Sequence, residues 1–184
     1  MTGRSQLTGE RVKLTAIRED DVDELISWDD DPEFMRNLHS GPAYPRPQIA
    51  QREWWTGRLK NKDEFHFAIR LIEDERLIGS FHISEIEWPH RAAWFSIGLG
   101  GKDARGKGYG TEALELGIDF AFNDLNLHRL SLSVFAYNQP AIRLYNRLGF
   151  THEGTFREHL QRDGQRHDML LFGMLAYEWR KRRE

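Results

Sequence analysis

The sequence predicts a single α/β domain built around a mixed sheet, and three observations predict it. Strand-like segments cluster in the first half, at residues 11–17, 65–71, 76–86 and 92–99. The second half alternates periods: a helix after Gly110, a strand at 129–136, a helix over about 139–147, then strands near 150–157 and 166–174. With 184 residues, 39% hydrophobic and 30% charged, the chain suits one domain with its own core and is short for two.

In RVKLTAI (11–17), Val12, Leu14 and Ala16 share one side, the period-2 pattern of a strand. The period then changes. Val22, Leu25 and Ile26 fit a helix over 20–28 capped by aspartates, and a second short helix follows Asp31 and Pro32. Residues 40–47 carry three prolines and a glycine, which predicts an irregular loop before a helix over about 48–60. Charged turns such as Glu73, Asp74 and Glu75 separate the next strands, so they read as an antiparallel meander. Ala113, Leu114, Gly117, Ile118, Ala121 and Phe122 recur at three and four residues, giving the helix after Gly110 one buried stripe. The basic run at 180–183 reads as a solvated tail.

Composition excludes several functions. Subtracting 29 acidic from 26 basic residues leaves −3, so no direct nucleic-acid binding is expected. The absence of cysteine removes disulfides, thiolate metal sites and a catalytic thiol. No stretch approaches the roughly 20 apolar residues of a membrane span, and MTGRSQLTGE lacks a signal-peptide core, so a cytoplasmic protein without a membrane partner is expected. His152, His159 and His167 lie close to Asp168 without zinc-binding spacing, and no metal is expected. Ser131 and Ser133 lack a nucleophile elbow.

Between Leu99 and Thr111 lies GGKDARGKGYG, whose five glycines permit positive φ and close backbone approach. A strand feeding such a loop into a helix aims unsatisfied N–H groups and the positive end of the helix dipole at one place, which favours an anion. Lys102, Arg105 and Lys107 would add mobile charge; a merely flexible, solubilising loop is the alternative. Gly101 to Lys107 approaches a nucleotide-triphosphate loop, but Gly108 stands where magnesium chemistry needs Ser or Thr. Dinucleotide spacing is also absent.

RGKGYG (105–110) resembles the acetyl-coenzyme A loop of the GCN5-related N-acetyltransferases (GNAT), with Arg105, Gly108 and Gly110 at its defining places. YNQPAIRLYNRLGF (137–150) resembles that family's second signature, and the element order matches throughout the chain. NQPAIRLY and HEGTFREHLQRDGQRHDM look like the RimJ/RimL-like branch, which acts on ribosomal-protein N-termini, polyamines or other small amines. The resemblance implies a mostly antiparallel mixed sheet with a splayed central pair of strands, flanked by helices. It further implies that backbone groups of Ile97, Gly98 and Leu99 pair with the pantetheine. Amides of Arg105, Gly106, Lys107, Gly108, Tyr109, Gly110 and Thr111 would hold the pyrophosphate. The expected donor is acetyl-coenzyme A. The expected acceptor is a protein N-terminus, with a polyamine or other small amine as the alternative; a non-catalytic coenzyme A sensor would be a different class. The family leaves room for a homodimer.

Amine attack on a thioester requires deprotonation of the amine, stabilisation of the oxyanion and protonation of the departing thiolate. Tyr145 lies on an apolar helical stripe with Ala141, Leu144 and Leu148, which by itself reads as core; the resemblance makes it the acid facing the sulfur. Asn138 reads as a helix cap before Pro140 and, by resemblance, as a coenzyme A contact. Glu158 ranks first as base, with Glu85 and Glu87 as alternatives; each could instead be a surface carboxylate. Trp28, Phe34, Tyr44, Trp54 and Trp55 are candidate walls of the acceptor pocket. Asp29, Asp30, Asp31 and Glu33 would either attract a cationic acceptor or form a solvated helix end with a cap.

Overall fold

The structure, a computed structural model, describes residues 7–42 and 44–183; residues 1–6, which carry part of the signal-peptide reading, lie outside them. Among the described residues seven strands form one sheet: β1 (Val12–Ala16), β2 (Phe65–Leu71), β3 (Leu77–Glu87), β4 (Ala92–Leu99), β5 (Arg129–Phe135), β6 (Thr151–Arg162) and β7 (Gln165–Leu175). Their spatial order is β1-β2-β3-β4-β5-β7-β6. Every pairing is antiparallel except β4 with β5. The first four strands are the meander that the sequence predicts.

Helices cover both faces. α1 (Asp21–Ser27), α2 (Pro32–Leu38) and α3 (Gln48–Leu59) lie on one, where Val22, Leu25, Trp28, Phe34, Met35 and Trp55 form a buried cluster with Ala68 and Leu77. α4 (Tyr109–Asp119) and α5 (Gln139–Leu148) lie on the other. There the expected stripe Ala113, Leu114, Ile118, Ala121 and Phe122 is buried against Phe81, Ile83 and Leu130. Having no Cβ, Gly117 lets α4 close onto the Phe81 ring. Among the described residues no helix is long and apolar enough to cross a membrane.

Two expectations are refined. Residues 180–183 are exposed to solvent, as expected, but are not a free tail. They end α6 (Ala176–Arg183), which docks through buried Trp179, whose Nε1 donates to Asp119 at 2.7 Å, and through Arg183 paired with Asp119 at 3.0 Å. The aromatic anchor is buried while the four basic residues that follow it stay in solvent, so docking the helix does not desolvate them. The last two strands also run further than expected, meeting at a two-residue turn. Asp163 and Gly164 both have positive φ, 49° and 76°, the geometry that Asp-Gly favours in tight hairpins.

Candidate active site

β4 and β5 pair through only three residues, Ala92 with Arg129, Ala93 with Leu130 and Trp94 with Ser131. Beyond Trp94 and Ser131 the two strands carry on without partnering each other, to Leu99 and Phe135, so the centre of the sheet opens as a fork. Gly100 N–H donates to the Ile78 carbonyl at 3.0 Å, which makes Leu99 a non-hydrogen-bonded partner of Gly79. By the alternation of an antiparallel ladder, Ile97 and Leu99 turn their backbone groups into the fork. Gly98 instead turns its own toward Ser80. That corrects the expectation for Gly98, whose missing side chain serves packing: an added Cβ would lie 3.1 Å from the Phe34 ring.

The glycine loop closes the open end of the fork. Gly106 and Gly108 have φ of +75° and +84°, and Gly108 caps α4. Thr111 and Glu112 N–H groups return to the Gly108 carbonyl, and Arg105 N–H goes to Lys102. The described residues supply no acceptor for the amides of Gly106, Lys107, Gly108, Tyr109 and Gly110. Five free donors at a helix N-terminus fit a diphosphate.

Two residues absent from the sequence reading hold this cradle. Arg11 donates to the Lys107 carbonyl at 2.9 Å and lies over the Tyr109 ring at 5.2 Å. Glu112 takes the amides of Glu10, Arg11 and Val12 at 2.6, 2.7 and 3.1 Å. Burial opposes ionisation of Glu112, but these amides and the Arg11 guanidinium outweigh it and hold its carboxyl below the usual range. No local pattern links positions some hundred residues apart.

Arg105 is not a mobile charge. It donates to the Leu99 and Gly100 carbonyls at 3.1 and 3.2 Å, to Asp31 at 3.0 Å and to Glu33 at 3.3 Å. Asp31 also caps α2 by accepting the Glu33 amide at 3.0 Å. Burial opposes its ionisation, yet Arg105, the Glu33 amide and Lys102 hold its carboxyl low. Asp29 takes Gln51 at 2.9 Å and faces Arg46 at 3.7 Å. Three of the four acids are therefore committed to internal partners, so the run acts as cap and clasp.

Tyr145 is buried behind the vertex of the fork. Its ring lies 6.2 Å from Phe95 and 6.3 Å from Phe172, the latter paired with Leu132. Phe95 and Leu132 are the first residues beyond the last β4–β5 pair. Burial alone pushes the phenol up to about 12, so it is protonated at neutral pH. Asn138 caps α5, its side-chain oxygen accepting the Ala141 amide at 3.2 Å.

The carboxylates are dispersed. Glu85 and Glu87 are exposed on β3 at a bulge level with Ala92 and Trp94, the closed end of the fork. Glu158 is exposed on edge strand β6, in a bulge where its φ is 52° and its N–H donates to Asp168 at 2.8 Å. The Asp168 carbonyl takes the Ala136 amide, so Glu158 is level with the open end of β5, two strand spacings or roughly 10 Å away. His152 lies against Phe172 and His167 against Tyr137, while His159 lies against Phe156, each in a separate ring contact.

On the face covered by α1, α2 and α3 the expected walls divide. Trp28, Phe34 and Trp55 are buried, while Tyr44 and Trp54 are exposed. α2 bridges the mouth of the fork: Phe34 touches Gly98, and Arg36 pairs with Asp163 at the hairpin tip through two contacts of 2.5 and 2.8 Å. Tyr137 donates to the Arg36 carbonyl and Arg162 to the His39 carbonyl, each at 2.5 Å. Behind α3, His66 and His82 share a 2.8 Å Nδ1–Nδ1 hydrogen bond, and His82 Nε2 meets Ser80 at 2.9 Å.

Residues 11–151 match the acetyltransferase (GNAT) domain family. An uncharacterised N-acetyltransferase, YokL, of the SPbeta prophage in Bacillus subtilis is 31% identical over 94% of both chains. The spermidine N(1)-acetyltransferase of Escherichia coli K12 is 26% identical over 91% of this chain and 88% of its own. The structure of Vibrio cholerae spermidine N-acetyltransferase in complex with coenzyme A and spermine superposes with a TM-score of 0.83 at 24% identity. It covers 91% of this chain and 97% of that one, and shares the fold.

Proposed function

Since the chain belongs to the GNAT acetyltransferase family and is an acetyl-coenzyme A-dependent N-acetyltransferase, we propose that its acceptor is a small-molecule amine of the polyamine kind. The observation that carries this is the bridge of α2 to the hairpin tip across the fork. A slender amine passes such an opening more readily than the terminus of a folded protein. The relationship to a spermidine acetyltransferase points the same way, and the RimJ/RimL-like wording of residues 138–145 accommodates it.

Acetyl-coenzyme A, when bound, supplies an acetyl thioester. In our reading the backbone groups of Ile97 and the N–H of Leu99 extend the sheet onto its pantetheine, as a further strand would. The free amides of residues 106–110 hold its diphosphate. Tyr145 keeps a proton at its hydroxyl for the departing sulfur, and Asn138 offers its side-chain NH2 group. Glu158 is favoured as base over Glu85 and Glu87, because it is level with the open end of the fork and they are level with its closed end.

The test is thioester consumption with spermidine, spermine, simple diamines, amino acids and ribosomal N-terminal peptides. Small amines should accelerate it most. Turnover with the peptides alone would overturn the acceptor assignment.

A further inference from the structure

Helix α5 carries Arg143 and Arg147, both exposed and one turn apart on the same side. Like charges at this spacing repel each other and weaken a helix slightly, a cost that a bound anion would relieve. Neither has a carboxylate partner among the described residues. Among the described residues Arg143 makes no polar contact, and the Arg147 guanidinium donates only to the neutral Thr111 Oγ1, at 2.8 Å. The neighbouring arginines differ, since Arg11 is paired with Glu112 and Arg183 with Asp119.

Arg147 lines a cavity of about 640 Å³ that also touches Gly108 and Thr111, at the end of the amide cradle. Glu10 and Glu115 line it as well, with no ion pair among the described residues, and would repel an anion from their side. α5 starts just after its cap Asn138, close behind the open end of β5, so Arg143 lies one turn nearer that end than Arg147. Once Arg11 and Arg183 are set against Glu112 and Asp119, Arg147 is the lining arginine left without a carboxylate among the described residues, and it stands beside Gly108 and Thr111 of the glycine loop, with Arg143 one turn away outside the lining.

We propose that Arg143 and Arg147 bind the 3′-phosphate on the ribose of coenzyme A. The proposal rests on the reading that the loop amides hold the diphosphate. Neutral amide dipoles suit an anion that nests in a tight turn. A phosphate monoester, bearing about −1.5 to −2 charges, suits the planar fork of a guanidinium on a long side chain. Two devices would then divide the recognition of one molecule, and acetyl donors lacking the monoester would be discriminated against.

Calorimetric titration of coenzyme A and of dephospho-coenzyme A into the protein tests this without turnover. The wild type should bind dephospho-coenzyme A about tenfold more weakly, with the gap shrinking as salt rises. Arg143→Ala and Arg147→Ala should weaken coenzyme A binding and leave dephospho-coenzyme A unchanged, and their double variant should abolish the preference. Lys62→Ala, which removes a charge from the turn before β2, should retain it. Equal wild-type affinity for the two ligands, or arginine variants that weaken both alike, would overturn the proposal. Failure of both ligands to bind the wild type would instead reject the cradle itself.

Discussion

The ring of Tyr145 meets that of Phe95 at 6.2 Å and 78°, edge against face, at the residue where β4 parts from β5. An aromatic contact therefore fixes a protonated phenol behind the fork. Tyr145→Phe preserves this contact and removes only the hydroxyl. Turnover should fall about 100-fold while coenzyme A affinity stays within about twofold, as single-turnover kinetics and calorimetry would show. Because burial pushes the phenol up to about 12, its ionisation should leave the rate unaffected below about pH 10. An undiminished rate would remove Tyr145 from the acid role.

Gly108 has a φ of +84°, and a Cβ there would come within 3.1 Å of the Arg11 guanidinium. Gly108→Val forces a β-branched residue into a left-handed conformation costing about 1–2 kcal/mol, and it tilts the neighbouring amides. Coenzyme A affinity should drop about tenfold or more by calorimetry, with a smaller loss of thermal stability. Retained affinity would refute the amide cradle.

Asp21 and Arg70 form a buried pair, with both carboxylate oxygens 2.6 Å from Nη2. Arg70 also donates to Thr15 at 3.1 Å and to the Glu75 carbonyl at 3.1 Å, joining α1 to β1 and β2. Asp21→Ala leaves a buried guanidinium without its anion, which should cost about 3–5 kcal/mol in urea unfolding. A loss below about 1 kcal/mol would show that water replaces the carboxylate.

His66, His82 and His39 are each held below the usual imidazole range, chiefly by burial, with Arg58 adding to the effect. Glu64, 3.0 Å from His66 Nε2, opposes the shift at that ring, and Asp29 opposes it at His39. The folded rings stay neutral while the unfolded chain takes up protons below its ordinary histidine value of about 6.5. Stability is therefore greatest above that value and declines as pH falls toward the folded values, by up to about 1.4 kcal/mol per pH unit for each ring. Urea unfolding at about pH 8, 6.5 and 5 checks this. A flat profile over that range would contradict it, and His82→Asn should make the decline shallower.

Sequence and tertiary structure divided the determination along a physical line. Period and turn chemistry are local, so the meander, the α4 stripe, the Asn138 cap and the Gly106–Gly108 turn could be read from neighbouring residues. The same logic placed Tyr145 on an apolar helical face, and Asp-Gly at 163–164 carried the signal for the longer hairpin. The fork depends on where β4 and β5 stop pairing, which no single strand encodes. The commitment of Arg105 to Asp31 and Glu33 spans more than seventy residues, and the Arg36–Asp163 bridge spans 127. Charge in the sequence marks a residue as able to pair; only the folded chain decides whether its partner is another side chain or a ligand. Arg105 was settled in the first sense, whereas Arg143 and Arg147 are left with charge that no described carboxylate neutralises.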